Sequence, residues 1–218
     1  MVAATSYTIF IKWLFQEKII NRQSISIDHG SLTLIENFIS PPEQQALFRL
    51  LEQTLHWRQD QLKLFGRMVS IPRLQSFMGD EGIEYTYSNL LMKARPWLPE
   101  LLTLKEQIEK ASLSHFNTVL ANLYRDGQDS MGWHSDDEPE LRRNPTIASL
   151  SLGEPRRFLL RPKGSKKTHT EIPLASGSLL IMAGELQHYW QHSVPKTARK
   201  IDPRMNLTFR QTYSTGHG

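Results

Sequence analysis

The spacing of apolar residues predicts helices in the first half of the chain. After Ser40, which can cap a helix, apolar residues recur at helical spacing, and Pro41-Pro42 suits the first turn. These apolar residues are Ala46, Leu47, Leu50, Leu51 and Leu55. Two further helices are predicted, one beginning after Asn89 and one over residues 99–111. Residues 1–30 have no clear period, so we expect an N-terminal extension (1–30) before one domain (31–214).

From Phe116 onward the pattern changes to short, strand-like runs separated by Gly, Pro and charged turns. Strands are predicted over residues 32–35, 118–124, 148–151, 157–161, 170–173, 178–183, 189–193 and 206–211. Several short strands at this spacing are typical of a β-sandwich or barrel. The predicted fold class is therefore mostly β with flanking helices, in which an N-terminal helical layer lies on a β-rich second half.

The composition narrows the class of protein. A chain of 218 residues with 39% hydrophobic residues can build one sizeable core. No run reaches the ~18 apolar residues that span a bilayer, so we expect no membrane partner. The lack of cysteine excludes disulfides, thiolate metal sites and a cysteine nucleophile. We expect a monomer in the cytoplasm, or in the nucleus if the host is a eukaryote.

Positive charge is concentrated in the last third of the chain, although the net charge is only +4. Residues 142–210 hold 13 Lys and Arg against 4 Asp and Glu, an excess of +9, and the rest of the chain sums to −5. Such a basic segment attracts phosphate backbones. A solvated basic surface without a partner is the alternative.

Three polar residues far apart in sequence form a candidate metal site. His134 and Asp136 are two residues apart, so their side chains share one face of a strand. A third ligand must come from elsewhere. His192, 58 residues after His134, is preferred over His188 because it lies in an apolar-to-polar strand. Two imidazoles and one carboxylate leave three positions open, which suits non-haem Fe(II) with a chelating co-substrate and dioxygen, although zinc could also bind.

The strand over residues 204–210 offers a binding wall for an anion. Its alternation separates one polar side from one apolar side. The polar side carries Arg204, Asn206, Thr208 and Arg210, and the apolar side carries Met205, Leu207 and Phe209. Buried arginines need anionic partners, and 2-oxoglutarate brings two carboxylates, which guanidinium groups can bind bidentately. Asn122 and Tyr124 have the same spacing and could complete the pocket.

In this order, these motifs resemble the AlkB family of Fe(II)/2-oxoglutarate nucleic-acid demethylases, and most of all the branch that repairs alkylated DNA, double-stranded DNA included. The resemblance covers about residues 32–210. Its most specific pieces are Asn122-Leu123-Tyr124, Trp133-His134-Ser135-Asp136-Asp137-Glu138, Gly177-Ser178-Leu179-Leu180 and the segment from Pro203 to Arg210.

The resemblance implies a double-stranded β-helix (jelly-roll) barrel in which His134, Asp136 and His192 hold iron and 2-oxoglutarate chelates it. It also implies that Arg204 meets the distal carboxylate, while Arg210 and Asn122 lie nearer the iron-side carboxylate. Three further residues would assist: Tyr124, Asn206 and Thr208.

On the substrate side, the resemblance implies a lid that covers a base flipped out of the helix. Tyr87 opposite His134 is the candidate stacking pair, and Tyr85 is a candidate contact to phosphate or base. A carboxylate of Asp137 or Glu138 could accept a hydrogen bond from the exocyclic amino group of a cationic lesion. For the two tyrosines, core packing is the alternative.

Residues 62–67 resemble the hairpin that double-strand-active relatives use as a wedge. Phe65 would fill the gap left by the flipped base, although Phe65 could equally be buried. Arg73, after Pro72, could hold a phosphate.

The implied activity is oxidative demethylation of 1-methyladenine and 3-methylcytosine in double- or single-stranded DNA, releasing succinate, carbon dioxide and formaldehyde. Fe(II), 2-oxoglutarate and dioxygen are the expected cofactor and co-substrates. Two alternatives stay open. One is the same chemistry on RNA or a protein side chain, and the other is an inactive metal-binding homologue that only binds nucleic acid.

Overall fold

In a computed structural model of the chain, two antiparallel β-sheets face each other and two helices cover the outer face of the larger sheet. The structure describes residues 21–64, 66–87 and 90–213, without the side chains of Lys63, Leu64 and Tyr87. Facing antiparallel sheets with helices on one outer face confirm the predicted mostly β, jelly-roll fold.

The elements follow one another in a regular order. The first half contains β1 (Arg22–Ile25), β2 (Ser31–Ile35), α1 (Pro41–Thr54), β3 (Gln61–Leu64), β4 (Arg67–Ser70), β5 (Leu74–Gly79), β6 (Glu84–Tyr87), β7 (Leu90–Lys93) and α2 (Pro99–Ser112). The second half contains β8 (Thr118–Tyr124), β9 (Met131–His134), a short 3-10 helix (Pro139–Leu141), β10 (Ile147–Gly153), β11 (Arg156–Pro162), β12 (Thr170–Leu174), β13 (Leu179–Ala183), α3 (Leu186–Tyr189), β14 (Trp190–Val194) and β15 (Arg204–Arg210).

The larger sheet has seven strands in the order β1-β2-β13-β10-β15-β8-β5, and the smaller has four in the order β12-β11-β14-β9. Two hairpins, β3–β4 and β6–β7, stand beside them. Because β15 lies between β10 and β8, its polar side chains are placed in the interior of the larger sheet, where the site is built.

The outer face of the larger sheet carries the first core. Met205, Leu207 and Phe209 of β15 are fully buried there in one cluster with Leu51 of α1 and Leu104 of α2. Fully burying such a side chain stabilises the fold by about 1.5–3 kcal/mol. The helical layer therefore fixes which face of β15 points to the second sheet. Among the described residues, no helix is both long and apolar enough to cross a membrane.

A second core fills the space between the sheets. Leu34 and Leu180 of the larger sheet pack in one cluster with Phe158, Leu160 and Ile172 of the smaller sheet. This cluster surrounds one side of the site, so the polar groups there lie between apolar walls and are removed from bulk water.

The backbone geometry at residue 177 explains why a glycine stands there in the motif over residues 177–180. Gly177 has a φ of +74°, and a Cβ at this position would collide with the side chain of Gln44. Glycine adopts this backbone conformation without a steric penalty. Its N–H donates to the carbonyl of Ser151, which holds the turn before β13 against β10.

Two expectations from the sequence need correction. The helix predicted after Asn89 is wrong, because Leu90–Lys93 forms β7 and pairs with β6. Leu91 is exposed and Met92 fully buried, so alternation, and not helical spacing, governs this short run. The proposed extension over residues 1–30 also contains β1, which pairs with β2 at the edge of the larger sheet. The sheet therefore begins before residue 31.

Candidate active site

The three predicted metal ligands come together at the edge of the smaller sheet. β9 and β14 pair so that His134 and His192 lie opposite each other, and Asp136 follows β9 by two residues. One ligand atom from each residue lies within 4.8 Å of the other two. The competing His188 is exposed on α3. The structure thus supports the choice of His192 as the third ligand.

A backbone hydrogen bond orients the first histidine. Nδ1 of His134 lies 2.9 Å from the carbonyl oxygen of Gly132, so this nitrogen carries the proton and donates it. Nε2 then keeps its lone pair, and it lies 3.7 Å from Oδ1 of Asp136. Histidine ligands are held in this way when the second ring nitrogen donates to a carbonyl.

Asp136 is held on one side only. Nη2 of Arg210 donates to Oδ2 over 2.8 Å, and the backbone N–H of Asp136 donates to Oε1 of Gln187. Oδ1 is buried and has no hydrogen-bond partner in the part of the chain that is described. Burial alone would raise the pKa of Asp136, but Arg210 and the two histidines together outweigh burial and hold that pKa well below its usual range. The carboxylate is therefore ionised, with one free oxygen.

His192 is kept neutral by its surroundings. Its ring lies 4.2 Å from the ring of His134 and stacks on Phe158 at 5.1 Å, measured between centroids. Burial and the neighbouring His134 lower the pKa of His192 to about 3. Neutral imidazole is the form that binds a metal. Two neutral imidazoles and an ionised carboxylate with an unsatisfied oxygen fit a divalent cation such as Fe(II).

A pocket with about 460 Å³ of empty space, part of it open to solvent, extends from the metal ligands along β15. Arg204 lies at the end away from Asp136 and is 1% exposed. Its Nη2 donates to Ser151, and its guanidinium lies 5.3 Å from the centroid of the Tyr124 ring. Nε and Nη1 of Arg204 are buried, and neither has a hydrogen-bond partner among the residues described. Burial lowers the pKa of Arg204 to about 10, so it is still charged at neutral pH.

Arg210 occupies the metal end of the same strand. Its Nη2 donates to Asp136, whereas its Nε is a buried donor that meets no acceptor within the described ranges. Arg204 and Arg210 thus belong to the same strand and line the same pocket, so their side chains can meet the two carboxylates of one ligand. The cradle of unsatisfied donors at both ends fits 2-oxoglutarate.

Asn206 and Thr208 are already satisfied by the protein. Nδ2 of Asn206 donates to Ser149 and to the carbonyl of Leu150, and its Oδ1 accepts from Thr208. Both residues line the pocket. Their bonds fasten β15 to β10, so their contribution is to hold the pocket wall in shape.

Arg73 was expected to hold a phosphate, and the structure corrects this expectation. Arg73 is buried, 3% exposed, and its Nε donates to Oδ1 of Asn122 over 2.8 Å. A second donor, Nε2 of Gln75, reaches the same oxygen over 3.0 Å. A phosphate on the surface cannot reach a guanidinium enclosed in this way. The sequence pattern did not indicate Gln75, although its spacing of two from Arg73 is that of residues on one face of an extended chain.

Tyr85 is also buried, which argues against direct contact with a phosphate. It is 1% exposed and packs in a small cluster with Phe77. Burial raises the pKa of its hydroxyl well above the usual value, and the hydroxyl interacts with Glu138 and Arg210. Burial and the charge of Asp136 raise the pKa of Glu138 to about 7. Tyr85 and Glu138 are therefore electrostatic neighbours beside Asp136 and Arg210.

Asp137 lies at the rim of the site and is half-exposed. Nζ of Lys163 lies 2.5 Å from its Oδ2, an ion pair that nothing in the sequence pattern indicated. Two other predicted substrate contacts cannot be placed. Phe65 and the side chain of Tyr87 lie outside the described residues.

Comparisons with known proteins agree with this geometry. Residues 31–210 match the family model described as the 2OG-Fe(II) oxygenase superfamily. The chain is 42% identical over 194 residues to "Alpha-ketoglutarate-dependent dioxygenase alkB homolog 3" of Homo sapiens, covering 85% of this chain and 67% of that protein. It is 38% identical over 183 residues to "DNA oxidative demethylase ALKBH2" of Mus musculus, covering 79% of this chain and 77% of that protein.

A solved structure also resembles the fold. "The structure of OsALKBH1" aligns with a TM-score of 0.62 at 18% identity, covering 87% of this chain and 100% of that one. At this identity the likeness concerns the fold alone.

Proposed function

This chain belongs to the AlkB family within the 2OG-Fe(II) oxygenase superfamily, and on that premise we propose that it repairs DNA by oxidative removal of methyl groups from 1-methyladenine and 3-methylcytosine. It is an Fe(II)- and 2-oxoglutarate-dependent dioxygenase by family. One observation carries the proposal. The ligand atoms of His134, Asp136 and His192 converge within 4.8 Å at one end of a pocket whose other end is the buried Arg204.

The buried arginine donors without an acceptor in the described part of the protein suggest where each carboxylate of 2-oxoglutarate binds in the pocket. Arg204 receives the distal carboxylate of 2-oxoglutarate through its Nε and Nη1, while Tyr124 packs against its guanidinium. Nε of Arg210 and the side chain of Asn122 face the carboxylate nearer the metal. A guanidinium in an enclosed site binds carboxylate strongly because little water competes with it.

The metal, when bound, supplies oxygen activation coupled to the conversion of 2-oxoglutarate into succinate and carbon dioxide. The side chains of this protein position the reactants and exclude water. Water is excluded by the inner faces of both sheets, because the apolar side chains of Phe158, Leu120 and Met182 line the pocket beside the ligands. A hydroxylated N-methyl group then breaks down to formaldehyde and the unmodified base.

The proposed base-recognition residues lie on the segment that follows the metal ligand. With its pKa raised to about 7, Glu138 is partly ionised at neutral pH, and its negative charge favours a cationic methylated base over a neutral one. Tyr85 interacts with Glu138, and Lys163 is ion-paired with Asp137. Because Asp137 already pairs with Lys163, we propose that Glu138, and not Asp137, accepts the hydrogen bond from the exocyclic amino group of the base.

The nucleic-acid surface is proposed on the basic segment after β14. Lys196, Arg199 and Lys200 are exposed. They line a groove that also includes Arg157, which is paired with Glu171. Exposed cations on a segment that joins two active-site strands can bind phosphates next to the site. Activity on duplex DNA is proposed from the β3–β4 hairpin, because Phe65 falls between these two strands in the sequence. The proposed working form is a monomer in the cytoplasm, or in the nucleus of a eukaryotic host.

The test is turnover of defined methylated oligonucleotides. Succinate and formaldehyde are measured with single-stranded DNA, double-stranded DNA and RNA that each carry one 1-methyladenine or 3-methylcytosine. We expect stoichiometric formation of both products on DNA, and their loss in His134→Ala plus Asp136→Ala. His188→Ala is the matched control and keeps activity. Formaldehyde production that survives the double substitution overturns the proposal. Turnover on RNA alone would redirect it to RNA, and metal binding without any turnover would identify an inactive homologue.

A further inference from the structure

A buried amide network lies directly behind the proposed co-substrate pocket. Gln75 of β5 pairs directly with Asn122 of β8 in the strand register, and Arg73, the residue before β5, donates to the same asparagine. All three side chains are at most 3% exposed. Asn122 lines the pocket, whereas Arg73 and Gln75 are not among its lining residues. Their hydrogen bonds to the pocket wall are therefore made through Asn122.

The chemistry of arginine decides how the Asn122 amide is oriented. A guanidinium group has donors and no acceptor, so the atom of Asn122 that faces Arg73 must be oxygen. Nε of Arg73 and Nε2 of Gln75 both donate to this Oδ1, over 2.8 and 3.0 Å. With Oδ1 turned towards β5, the NH₂ group of Asn122 is turned away from it.

The same arrangement leaves one buried acceptor of Gln75 without a hydrogen bond in the described ranges of the chain. Oε1 of Gln75 is buried and accepts no hydrogen bond from the residues that the structure describes. An unsatisfied buried acceptor destabilises a protein. If Asn122 were free to rotate, Gln75 could present either end of its amide to it. Arg73 removes this freedom, because only one orientation of Asn122 avoids placing NH₂ against the guanidinium.

From this geometry we infer that Arg73 and Gln75 are positioning residues that fix the Asn122 amide with its NH₂ group towards the carboxylate of 2-oxoglutarate. The inference rests on the proposed function. A free Asn122 would present oxygen to the carboxylate for part of the time, and two acceptors repel each other. The fixed orientation instead offers a donor to a charged acceptor, which is the stronger kind of hydrogen bond.

The experiment measures binding and not only turnover. 2-Oxoglutarate is titrated calorimetrically into the protein loaded with Mn(II) in the absence of oxygen. Arg73→Met removes the donors while keeping an unbranched, flexible chain, and we expect about tenfold to a hundredfold weaker binding. Arg73→Lys keeps a donor and restores part of the affinity. Arg95→Met, an exposed arginine outside the site, is the control and leaves binding unchanged.

A double-mutant cycle separates positioning from a general structural role. If Arg73 acts through Asn122, then Arg73→Met adds no further loss of affinity in an Asn122→Ala background. Losses of binding free energy that add up in the double variant would overturn the inference. So would an Arg73→Met protein whose KM for methylated DNA rises while its affinity for 2-oxoglutarate is unchanged, the result expected of a phosphate contact.

Two further arms keep the test decisive. If Arg73→Met does not fold, as shown by thermal unfolding, Gln75→Met takes its place in the same cycle with the same expected coupling. If the unsubstituted Mn(II) protein binds no 2-oxoglutarate, the proposed function itself fails. Binding by the unsubstituted protein together with additive losses rejects only the orientation of Asn122.

Discussion

Arg210 and Asp136, 74 residues apart, form a buried ion pair in which Nη2 of the arginine donates to Oδ2 of the carboxylate over 2.8 Å. The pair leaves Oδ1 of Asp136 open on the side of the two histidines. It therefore makes the carboxylate a one-oxygen ligand and ties the metal end of the site to the strand that carries the co-substrate pocket. Both groups are stabilised in their charged forms, because each charge shifts the pKa of the other in its favour despite burial.

Removing Arg210 should destabilise the metal-free protein more than the metal-bound protein. Arg210→Met leaves Asp136 as an uncompensated buried charge, which costs about 3–5 kcal/mol in the free energy of unfolding. Saturating Mn(II) supplies positive charge at Oδ1, so we expect the loss to be smaller with the metal. Denaturant unfolding of the variant and of the Arg95→Met control, each with and without Mn(II), measures this difference. Equal losses under both conditions would contradict it.

Arg204 should show a trade-off between binding and stability. Arg204→Met abolishes most 2-oxoglutarate binding, since two donors to the distal carboxylate disappear. It also removes two buried donors that have no acceptor among the described residues, so without ligand the variant should be more stable by about 1 kcal/mol.

Thermal unfolding with increasing 2-oxoglutarate tests both parts for Arg204. The unsubstituted protein rises in Tm with ligand concentration and the variant does not. Affinity for Mn(II) serves as the internal control, because Arg204 lies at the end of the pocket away from the ligands. A variant that loses stability without ligand and still responds to 2-oxoglutarate would refute this assignment.

Asp129 should give the fold a pH-dependent contribution. Burial opposes ionisation, but hydrogen bonds from Arg125 to the carboxylate lower the pKa of Asp129. Because its folded-state pKa lies below the unfolded value of about 3.9, the contribution is complete above that pH and is lost as the pH falls through the folded-state pKa.

Comparison with Asp129→Asn isolates that contribution. We expect the variant to be about 2 kcal/mol less stable at pH 7, and the difference to shrink as the pH is lowered below about 4. Urea unfolding over this pH range is the measurement. A difference that stays constant with pH would show that packing, and not charge, is responsible.

The basic segment after β14 should determine the salt dependence of DNA binding. Lys196→Ala plus Lys200→Ala removes two exposed cations, so the slope of log K against log salt should become less steep by about 2. Fluorescence anisotropy with a methylated oligonucleotide at several salt concentrations measures it. Arg95→Ala plus Lys110→Ala carries the same change of charge elsewhere on the surface and should leave the slope unaltered. An equal change in both pairs would reject a localised footprint.

The tip of the β3–β4 hairpin should matter for duplex substrates. Phe65→Ala removes the side chain proposed to fill the gap left by a flipped base, at an unstacking cost of a few kcal/mol. We expect the rate on double-stranded DNA to fall about tenfold or more and the rate on single strands to change little. Met68→Ala, on the same hairpin and 61% exposed, is the control. Equal losses on both substrates would exclude a wedge.

The sequence predicted the long, regular elements well because their patterns are local. β8 extends from Thr118 to Tyr124 as predicted, and α1 begins at Pro41 after its capping residue. The alternation of β15 also placed Arg204 and Arg210 on one face correctly. The pattern failed at residues 90–93, where four residues are too few to distinguish a helix from a strand and the pairing with β6 decides.

The residue types and their spacing were therefore enough, by themselves, to indicate an iron ligand set, a dicarboxylate pocket and a basic surface. They could not show how deeply each residue is buried or which partner it finds. The sequence predicted that Arg73 holds a phosphate and left Tyr85 between a substrate contact and core packing, whereas both are buried in the structure. Hydrogen-bond partners 49 and 74 residues apart, such as Arg73 with Asn122 and Arg210 with Asp136, exist only once the sheets close. Local periodicity fixes the face on which a side chain lies, whereas its partner depends on strand order, which only the tertiary structure determines.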